Sequence, residues 1–232
     1  MQAVILAAGI GSRLKPLTDN VPKPLVRING KPILEYTLSI LPPEIHEVVL
    51  VVGYRGEQIQ EYFGPAFNRV KLVYVTQKEP KGTADALLCA KPFLKDDYFL
   101  LLYADDLYHP DDLKNCPEDK PVVLVKEAKN PERFGVCLVD SENHLIDILE
   151  KPKDPPSNLV NIGVYVLHQD IFKAPQDSQP DGELNLVAQI AHLAKERPVE
   201  VITARFWHPI GYPEDVKEAE QFIQMPAKRR LN

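Results

Sequence analysis

Residues 3–33 read AVILAAGIGSRLKPLTDNVPKPLVRINGKPI. The first six of these, residues 3–8, are all apolar, which predicts a strand buried on both faces in the middle of a sheet. Gly9 and Gly11 then bracket a tight loop whose backbone amides can face a ligand. Such a loop, with positive charge at a strand end, favours polyphosphate binding. Four of the cations that follow the strand are Arg13, Lys15, Lys23 and Lys31.

Two common phosphate-binding loops do not fit this pattern. A dinucleotide-binding loop would place a third glycine where the chain has Leu14. A P-loop would place Gly-Lys-Ser/Thr where the chain has Gly11-Ser12-Arg13. A plain glycine turn with solvated lysines would explain the two glycines alone, but not the prolines and the Gly30-Lys31-Pro32 that accompany them.

The whole combination resembles the signature of the sugar-1-phosphate nucleotidyltransferases, the NDP-sugar pyrophosphorylases. The similarity covers LAAGIGSRLKPLT at residues 6–18, PKPL at residues 22–25 and GKP at residues 30–32. Ser12 stands where threonine is common in the family and keeps the hydroxyl. The resemblance implies catalytic roles for Arg13, on the pyrophosphate leaving group, and for Lys23, on phosphates near the reacting centre. It also implies that the nucleotide is bound by Leu6, Ala8, Gly9 and Gly11.

The charge of the chain argues against one class of partner. The net charge is −6, whereas non-specific nucleic-acid binding depends on clustered cations. The basic residues 228–230 are interpreted as a solvated terminus. No apolar run approaches the 18 or so residues of a membrane span, and the N-terminal run is too short for a signal peptide. We therefore expect a cytoplasmic protein with neither a membrane nor a nucleic-acid partner.

The cysteines agree with that location. Cys89, Cys116 and Cys137 show no metal-ligand spacing, and unpaired cysteines fit a reducing compartment. Whether the chain forms a homo-oligomer is left open by the sequence.

Apolar strand patterns alternate with helical patterns along most of the chain, which predicts an α/β domain with helices on both faces of a sheet. With the resemblance, this implies a Rossmann-like three-layer nucleotidyltransferase fold with a central mixed, mostly parallel sheet. We expect one domain over residues 1–232, with a nucleotide-binding part at about 1–126 and a sugar-phosphate part at about 127–225. No hexapeptide repeat follows, so no C-terminal β-helix domain is expected. A hairpin is predicted over 136–149 and later helices over 182–194 and 213–223.

The loop after the predicted third strand runs from Gln77 to Ala86 as QKEPKGTADA. Gly82 permits close approach of a flat ring, and Thr83 can cap the following helix. The resemblance implies that Gln77, Gly82 and Thr83 contact the nucleobase.

A predicted central strand at 98–103 leads to Asp105 and Asp106. An isolated pair of aspartates can simply form a turn. At the end of a central strand, however, a carboxylate is suited to Mg²⁺, and the resemblance places Asp105 on the family's metal-binding aspartate. Ala104 replaces the usual glycine before it. Mg²⁺ is therefore the expected cofactor.

Three later segments resemble the family's sugar-phosphate site. They are the loop NPERFGV at 130–136, the EKP at 150–152 and the NIG at 161–163. A surface ion pair is the alternative interpretation of Glu150 and Lys151. The residues implied to bind the sugar phosphate are Gly135, Glu150, Lys151, Asn161 and Gly163.

The chain departs from the family near its end. Many relatives have Trp-x-Asp-x-Gly, whose aspartate is a second metal ligand, and this chain has Pro209 at that position, between Trp207 and Gly211. Proline has no side-chain ligand, and His208 is a poor substitute because magnesium prefers oxygen. We interpret His208 as a structural or hydrogen-bonding residue.

The resemblance implies transfer of a nucleotidyl group from an NTP to a sugar 1-phosphate, giving NDP-sugar and pyrophosphate. Relatives with Ala8-Gly9 are often uridylyl or thymidylyl enzymes, so UTP or dTTP is favoured. Two alternatives remain: a non-catalytic regulatory homologue that binds NDP-sugar, because of Pro209, and a cytidylyltransferase acting on a phosphoalcohol.

Overall fold

The structure is a computed structural model that describes residues 1–176 and 182–224. The basic residues 228–230 and the end of the predicted sugar-phosphate part at 225 lie outside the described residues. The strands are β1 (Gln2–Ala7), β2 (Arg27–Ile28), β3 (Lys31–Pro32), β4 (Glu47–Val52), β5 (Ala66–Phe67), β6 (Val70–Thr76), β7 (Tyr98–Tyr103), β8 (Leu107–Tyr108), β9 (Val122–Glu127), β10 (Gly135–Val139), β11 (Leu145–Glu150), β12 (Leu159–His168), β13 (Glu200–Thr203) and β14 (Trp207–His208). The α-helices are α1 (Ile33–Ser39), α2 (Gly56–Phe63), α3 (Thr83–Ala90), α4 (Pro110–Lys114), α5 (Leu186–Glu196) and α6 (Pro213–Gln224).

The predicted mixed sheet is confirmed. Its centre, in the order β7-β1-β4-β6, is parallel, and β13 also pairs parallel to β9. Antiparallel pairing joins β12 to β7, β9 and β10, and it joins β11 to β10 and β5 to β6. Because β1 and β7 run side by side in the same direction, the loops that follow them emerge at one edge of the sheet.

The apolar run of β1 is buried because the sheet is covered on both faces. Ala3, Ile5 and Ala7 pack with residues of α1 and α2, whereas Val4 and Leu6 pack with residues of α3 and α5. Successive side chains of a strand point to opposite faces, so one run of sequence contributes to two cores. The predicted three-layer arrangement is thereby confirmed.

A third, smaller core holds the opening loop in place. Leu14 and Ile28 pack with Ile210 and with Val216 of α6, all of them buried. The loop after β1 therefore lies against the segment near residue 210, although nearly two hundred residues separate them in the chain.

The start of the predicted helix at 182–194 is wrong. The helix begins at Leu186, and Asn185 caps it, because the Asn185 side chain accepts a hydrogen bond from the Val187 amide at 2.9 Å. Asparagine is a favoured residue at the N-cap, the position just before the first turn of a helix. The predicted hairpin is confirmed as β10 and β11, whose turn is held by backbone amides that donate to the Asp140 carboxylate.

Within residues 1–176 and 182–224, none of the helices has the length and apolar character needed to cross a bilayer.

Candidate active site

A cavity of about 490 Å³ lies where the loops after β1 and β7 meet the antiparallel half of the sheet. This volume is within the range of small-molecule sites. Leu6, Ala8, Gln77 and Gly82 do not line the cavity. The predicted site residues that do line it are Gly9, Gly11, Arg13, Lys23, Thr83, Asp105, Gly135, Glu150, Lys151, Asn161 and Gly163.

Gly11 is required by the shape of the opening loop. Its φ is +69°, and an added Cβ would lie 2.9 Å from the Lys23 Cβ. The Thr18 hydroxyl donates to the Gly11 carbonyl at 2.8 Å, which closes the loop. The glycine thus lets the backbone turn while the chain returns to bring Lys23 into the cavity.

Of the four cations named above, Arg13, Lys15, Lys23 and Lys31, two face the cavity. Lys15 pairs with Asp19 at 3.6 Å and Lys31 with Glu35 at 3.5 Å, and neither lysine lines the cavity. Arg13 and Lys23 do line it.

Lys23 and Asp105, which both line the cavity, form an ion pair. The Lys23 Nζ lies 2.7 Å from Asp105 Oδ2, and the side chains are 11% and 38% exposed. The Ala104 amide donates to the Leu6 carbonyl at 3.1 Å, which extends the pairing of β7 with β1 and fixes where Asp105 begins. The structure therefore brings the predicted phosphate-binding lysine and the predicted metal ligand into direct contact.

Asp106 has a different environment, which the sequence does not reveal. Its carboxylate accepts hydrogen bonds from the Trp207 Nε1 and from the Ile210 amide, both at 2.9 Å. Burial, and then the neighbouring Asp105 carboxylate, raise the pKa of Asp106 above its ordinary value. Asp106 therefore holds the segment that carries Pro209 against the end of β7.

The segment after β13 is fixed by further contacts. The Asp112 carboxylate, in the first turn of α4, accepts from the Arg205 and Phe206 amides at 2.9 and 3.2 Å. His208 Nε2 lies 2.9 Å from the Asp215 carbonyl oxygen, which confirms the predicted hydrogen-bonding role of His208. Pro209 lines the cavity, and its side chain offers no ligand atom.

Three predicted sugar-site residues converge from neighbouring strands. A Cβ at Gly135 would lie 3.3 Å from Glu150 Oε2 and 3.7 Å from Asn161 Nδ2. Asn161 is buried, and its Oδ1 accepts from the Gly163 amide at 2.9 Å. Lys151 Nζ lies 3.1 Å from Glu150 Oε1, so this pair does form, within the cavity lining.

Gly163 makes room for an aromatic ring. Its φ is +75°, and an added Cβ would lie 2.6 Å from Cδ2 of Tyr103. Tyr103 ends β7 and lines the cavity, and burial raises its pKa to about 12. The group that approaches Gly163 most closely is therefore the Tyr103 ring, and the Tyr103 hydroxyl stays protonated near neutral pH.

The loop with Gln77 is tied to the segment before α5. Gln77 Nε2 donates to the Gly82 carbonyl at 3.0 Å and to Asp85 Oδ2 at 2.8 Å. A Cβ at Gly82 would lie 2.4 Å from the Leu184 carbonyl oxygen, so the nearest neighbour of Gly82 is protein backbone. The expected capping of α3 by Thr83 is wrong, because its hydroxyl accepts instead from the Leu186 amide at 3.1 Å.

Arg133 and Tyr212 are among the cavity residues for which the sequence predicted no role. The Tyr212 ring lies below the guanidinium groups of both Arg13 and Arg133. Arg133 lies inside the quoted 130–136 loop and Tyr212 directly follows Gly211, so nearness to the motifs was the available signal.

Comparison with known proteins agrees with this geometry. A profile of the nucleotidyl transferase family matches residues 2–225. The UTP–glucose-1-phosphate uridylyltransferase AglF of Haloferax volcanii is 38% identical over 236 residues, which are 97% of each chain. The chain belongs to the sugar-1-phosphate nucleotidyltransferase family. The resemblance seen in the opening stretch is thereby confirmed.

Other members of the family are similar over nearly all of this chain. The bifunctional protein GlmU of Methanocaldococcus jannaschii is 40% identical over 226 residues, which are 96% of this chain and 54% of GlmU. The chain thus spans about half the length of that relative. Among solved structures, UDP-glucose pyrophosphorylase complexed with UDP-glucose has a TM-score of 0.87 and 24% identity, covering 95% of this chain and 97% of the other. Apo UDP-glucose pyrophosphorylase has a TM-score of 0.86 and 25% identity, with complete coverage of both chains (100%).

Proposed function

We propose that this protein transfers a nucleotidyl group from an NTP, with UTP or dTTP favoured, to a sugar 1-phosphate, and releases pyrophosphate. The observation that carries the proposal is the Lys23–Asp105 pair at 2.7 Å in the same cavity as Gly135, Glu150 and Asn161. A cation and a carboxylate suited to phosphates thus lie beside backbone and polar groups suited to sugar hydroxyls.

The reaction needs little covalent help from the protein. An oxygen of the sugar phosphate forms a bond to the α-phosphorus of the NTP, while the bond from that phosphorus to the bridging oxygen breaks. The electron pair of the broken bond leaves with pyrophosphate. The attacking phosphate is already ionised, so no strong general base is required, and catalysis comes from positioning and neutralisation of charge.

We assign the neutralisation of phosphate charge to Lys23 and Arg13. Lys23 is mostly buried and is held by Asp105, so its ammonium is preorganised near the reacting phosphates. Arg13 has no acceptor among the described residues, and its guanidinium is free to bind the pyrophosphate group. Glu150 and Asn161 would hold the sugar hydroxyls, and Lys151 the sugar phosphate.

The Asp105 carboxylate fits a magnesium ion that has few protein ligands. Asp105 Oδ2 is engaged by Lys23, whereas Oδ1 has no hydrogen-bond partner among the described residues, and oxygen is the preferred donor of Mg²⁺. Asp105 would hold the ion together with substrate phosphates, since Pro209 supplies no second carboxylate. When bound, the ion would supply neutralisation of phosphate charge.

The preference for UTP or dTTP has support from the Gln77 amide. Both partners of Nε2 are acceptors, so the amide nitrogen faces them and Oε1 is left as an acceptor. Gln77 does not line the cavity, so a base would meet Oε1 only by reaching past the cavity lining toward the loop of Gln77. Uracil and thymine offer an N3–H donor, whereas N3 of cytosine is itself an acceptor. The name of AglF, which includes UTP and glucose 1-phosphate, agrees with a uridylyl transfer to a hexose phosphate.

A panel assay tests the proposal. Purified protein, Mg²⁺ and pyrophosphatase are combined with each NTP and each of several sugar 1-phosphates, and released phosphate is measured. We expect turnover with UTP or dTTP and at least one sugar 1-phosphate. Pro209 favours one competing function, a non-catalytic homologue, which would bind NDP-sugar but turn over no pair. Turnover only when phosphocholine replaces the sugar phosphate would assign the protein to the phosphoalcohol cytidylyltransferases.

A further inference from the structure

Two arginines from different loops face one aromatic ring in the cavity. The Arg13 guanidinium carbon lies 5.6 Å from the centre of the Tyr212 ring, and that of Arg133 lies 5.2 Å from the same centre. Arg13 belongs to the opening loop, and Arg133 ends the 3-10 turn Pro131–Arg133 just before Gly135. All three side chains line the cavity. The ring therefore joins the nucleotide side of the site to the sugar side.

Neither of these arginines has a hydrogen-bond acceptor or an ion-pair partner within residues 1–176 and 182–224. The other arginines in that part of the chain all donate to protein oxygens. Two uncompensated positive charges at one ring repel each other and leave their N–H edges unused. An anion that enters between them would satisfy both.

Tyr212 is held firmly enough to orient both guanidinium groups. The Gly211 and Tyr212 amides both donate to Asp215 Oδ2 at 2.7 Å. On the other side, the Phe134 ring packs edge-on against Trp207 with centroids 4.9 Å apart, which holds the loop of Arg133 against the same segment. Tyr212 is 38% exposed, and a guanidinium held over such a ring by a cation–π contact keeps its N–H edge available for a phosphate.

We propose that Arg133 is a second cation for the pyrophosphate end of the NTP, and that Tyr212 is the residue that positions Arg133 and Arg13 toward it. The inference rests on the proposed function, because it assigns these residues within the same site. Pyrophosphate is the anion expected here because Arg13, which shares the ring, is the residue assigned to the leaving group.

The test measures binding of inorganic pyrophosphate with Mg²⁺ by titration calorimetry, together with the KM for NTP and for sugar 1-phosphate. Removing a charge-assisted contact to phosphate costs roughly tenfold in affinity. We therefore expect Arg133→Ala and Tyr212→Ala each to weaken pyrophosphate binding and raise the KM for NTP by about tenfold. Tyr212→Phe should recover most of the affinity lost in Tyr212→Ala, since the ring alone orients the arginines.

Lys129→Ala is the matched control, because Lys129 is an exposed cation near Arg133 in the chain that does not line the cavity. If Arg133→Ala binds pyrophosphate as Lys129→Ala does, or loses affinity only for sugar 1-phosphate, the assignment is wrong. Wild-type protein that binds pyrophosphate but turns over no substrate pair would contradict the proposed function and leave the comparison of variants valid. Wild-type protein that binds no pyrophosphate would overturn both.

Discussion

Lys23 is the single residue on which the proposed chemistry depends most. Lys23→Ala should lower kcat by about 10²- to 10³-fold, as removal of one preorganised electrostatic group does in other enzymes. The free energy of unfolding should change by less than about 1 kcal/mol, because the partner carboxylate is partly exposed and the pair is screened. The panel assay and urea denaturation measure the two quantities.

Lys31→Ala is the control for this prediction. Lys31 lies in the same opening stretch but pairs with Glu35 outside the cavity, so its removal should leave kcat near the wild-type value. Near-normal turnover of the Lys23→Ala protein would show that the phosphate assignment is wrong.

We expect the Tyr103 ring to prevent a larger residue from replacing Gly163. An alanine there combines a φ of +75° with a Cβ 2.6 Å from the ring, so Gly163→Ala should lower the free energy of unfolding by about 2–4 kcal/mol. Gly30→Ala separates the two causes, because Gly30 has a φ of +80° but no atom within 4 Å of an added Cβ. Equal losses in urea denaturation of the two variants would mean that the ring contributes nothing.

Asp85 is expected to act on base selection through Gln77. Asp85 Oδ2 and the Gly82 carbonyl are the two acceptors that hold Gln77 Nε2, so Asp85→Ala should weaken the hold on the amide and let it present its nitrogen to the base in part of the molecules. The ratio of kcat/KM for UTP to that for CTP should then fall by about tenfold. Asp85→Asn keeps an acceptor and should keep most of the ratio. If this ratio is unchanged in Asp85→Ala, the orientation of the Gln77 amide does not select the base.

At the scale of elements, the sequence predicted the strands and the hairpin that follow from local patterns of apolar and turn residues. The apolar runs of β1, β4 and β7 and the hairpin β10–β11 are visible in the sequence because burial on both faces and turn residues leave local patterns. The role of Asp106 could not be predicted, because the atoms that bond to its carboxylate belong to Trp207 and Ile210. The same limit applies to the shared ring of Arg13 and Arg133, which exists only in the folded chain.

Glu47 joins three elements, and its ionisation should make their association depend on pH. Its carboxylate accepts from Lys71 of β6 and from Gln2 of β1, both at 2.7 Å. The hydrogen bond from Lys71 is the main cause that lowers the pKa of Glu47, opposed by burial. A carboxyl with a lowered pKa in the folded state stabilises it above the unfolded pKa of about 4.3 and loses that stabilisation as the pH falls below this value.

Glu47→Gln should therefore flatten the loss of stability between about pH 5 and pH 3 and should cost about 1–3 kcal/mol at pH 7. Urea denaturation across this pH range measures both effects. Glu79→Gln is the matched control: the pKa of Glu79 is also lowered by a lysine, Lys81, but the Glu79 side chain is 69% exposed and solvent screens the pair, so its pH curve should stay close to that of the wild type. If the free energy of unfolding of Glu47→Gln falls with acid as steeply as that of the wild type, other carboxyls cause the acid sensitivity.

At the scale of the whole molecule, the cavity walls come from both halves of the sheet. Asp105 follows the parallel strands and Glu150 ends a strand of the antiparallel part, so a substrate that contacts both should stabilise the chain as one unit. A ligand at a hundred times its Kd adds about 2.7 kcal/mol, which for a chain of this size raises the Tm by roughly 5–10 °C.

The metal dependence of that stabilisation should reveal how the ion is held. The described residues contain no group of three or more His, Cys, Asp or Glu side chains arranged to bind a metal, so EDTA alone should leave the Tm of the protein unchanged. With UTP and Mg²⁺ the Tm should rise, and EDTA should remove most of the rise, because Asp105 and the phosphates must share the ion. Asp105→Asn should lose the Mg²⁺-dependent part, whereas Asp111→Asn, which changes an acid outside the cavity, should keep it. A Tm that falls on addition of EDTA without nucleotide would instead require a metal site built from protein ligands alone.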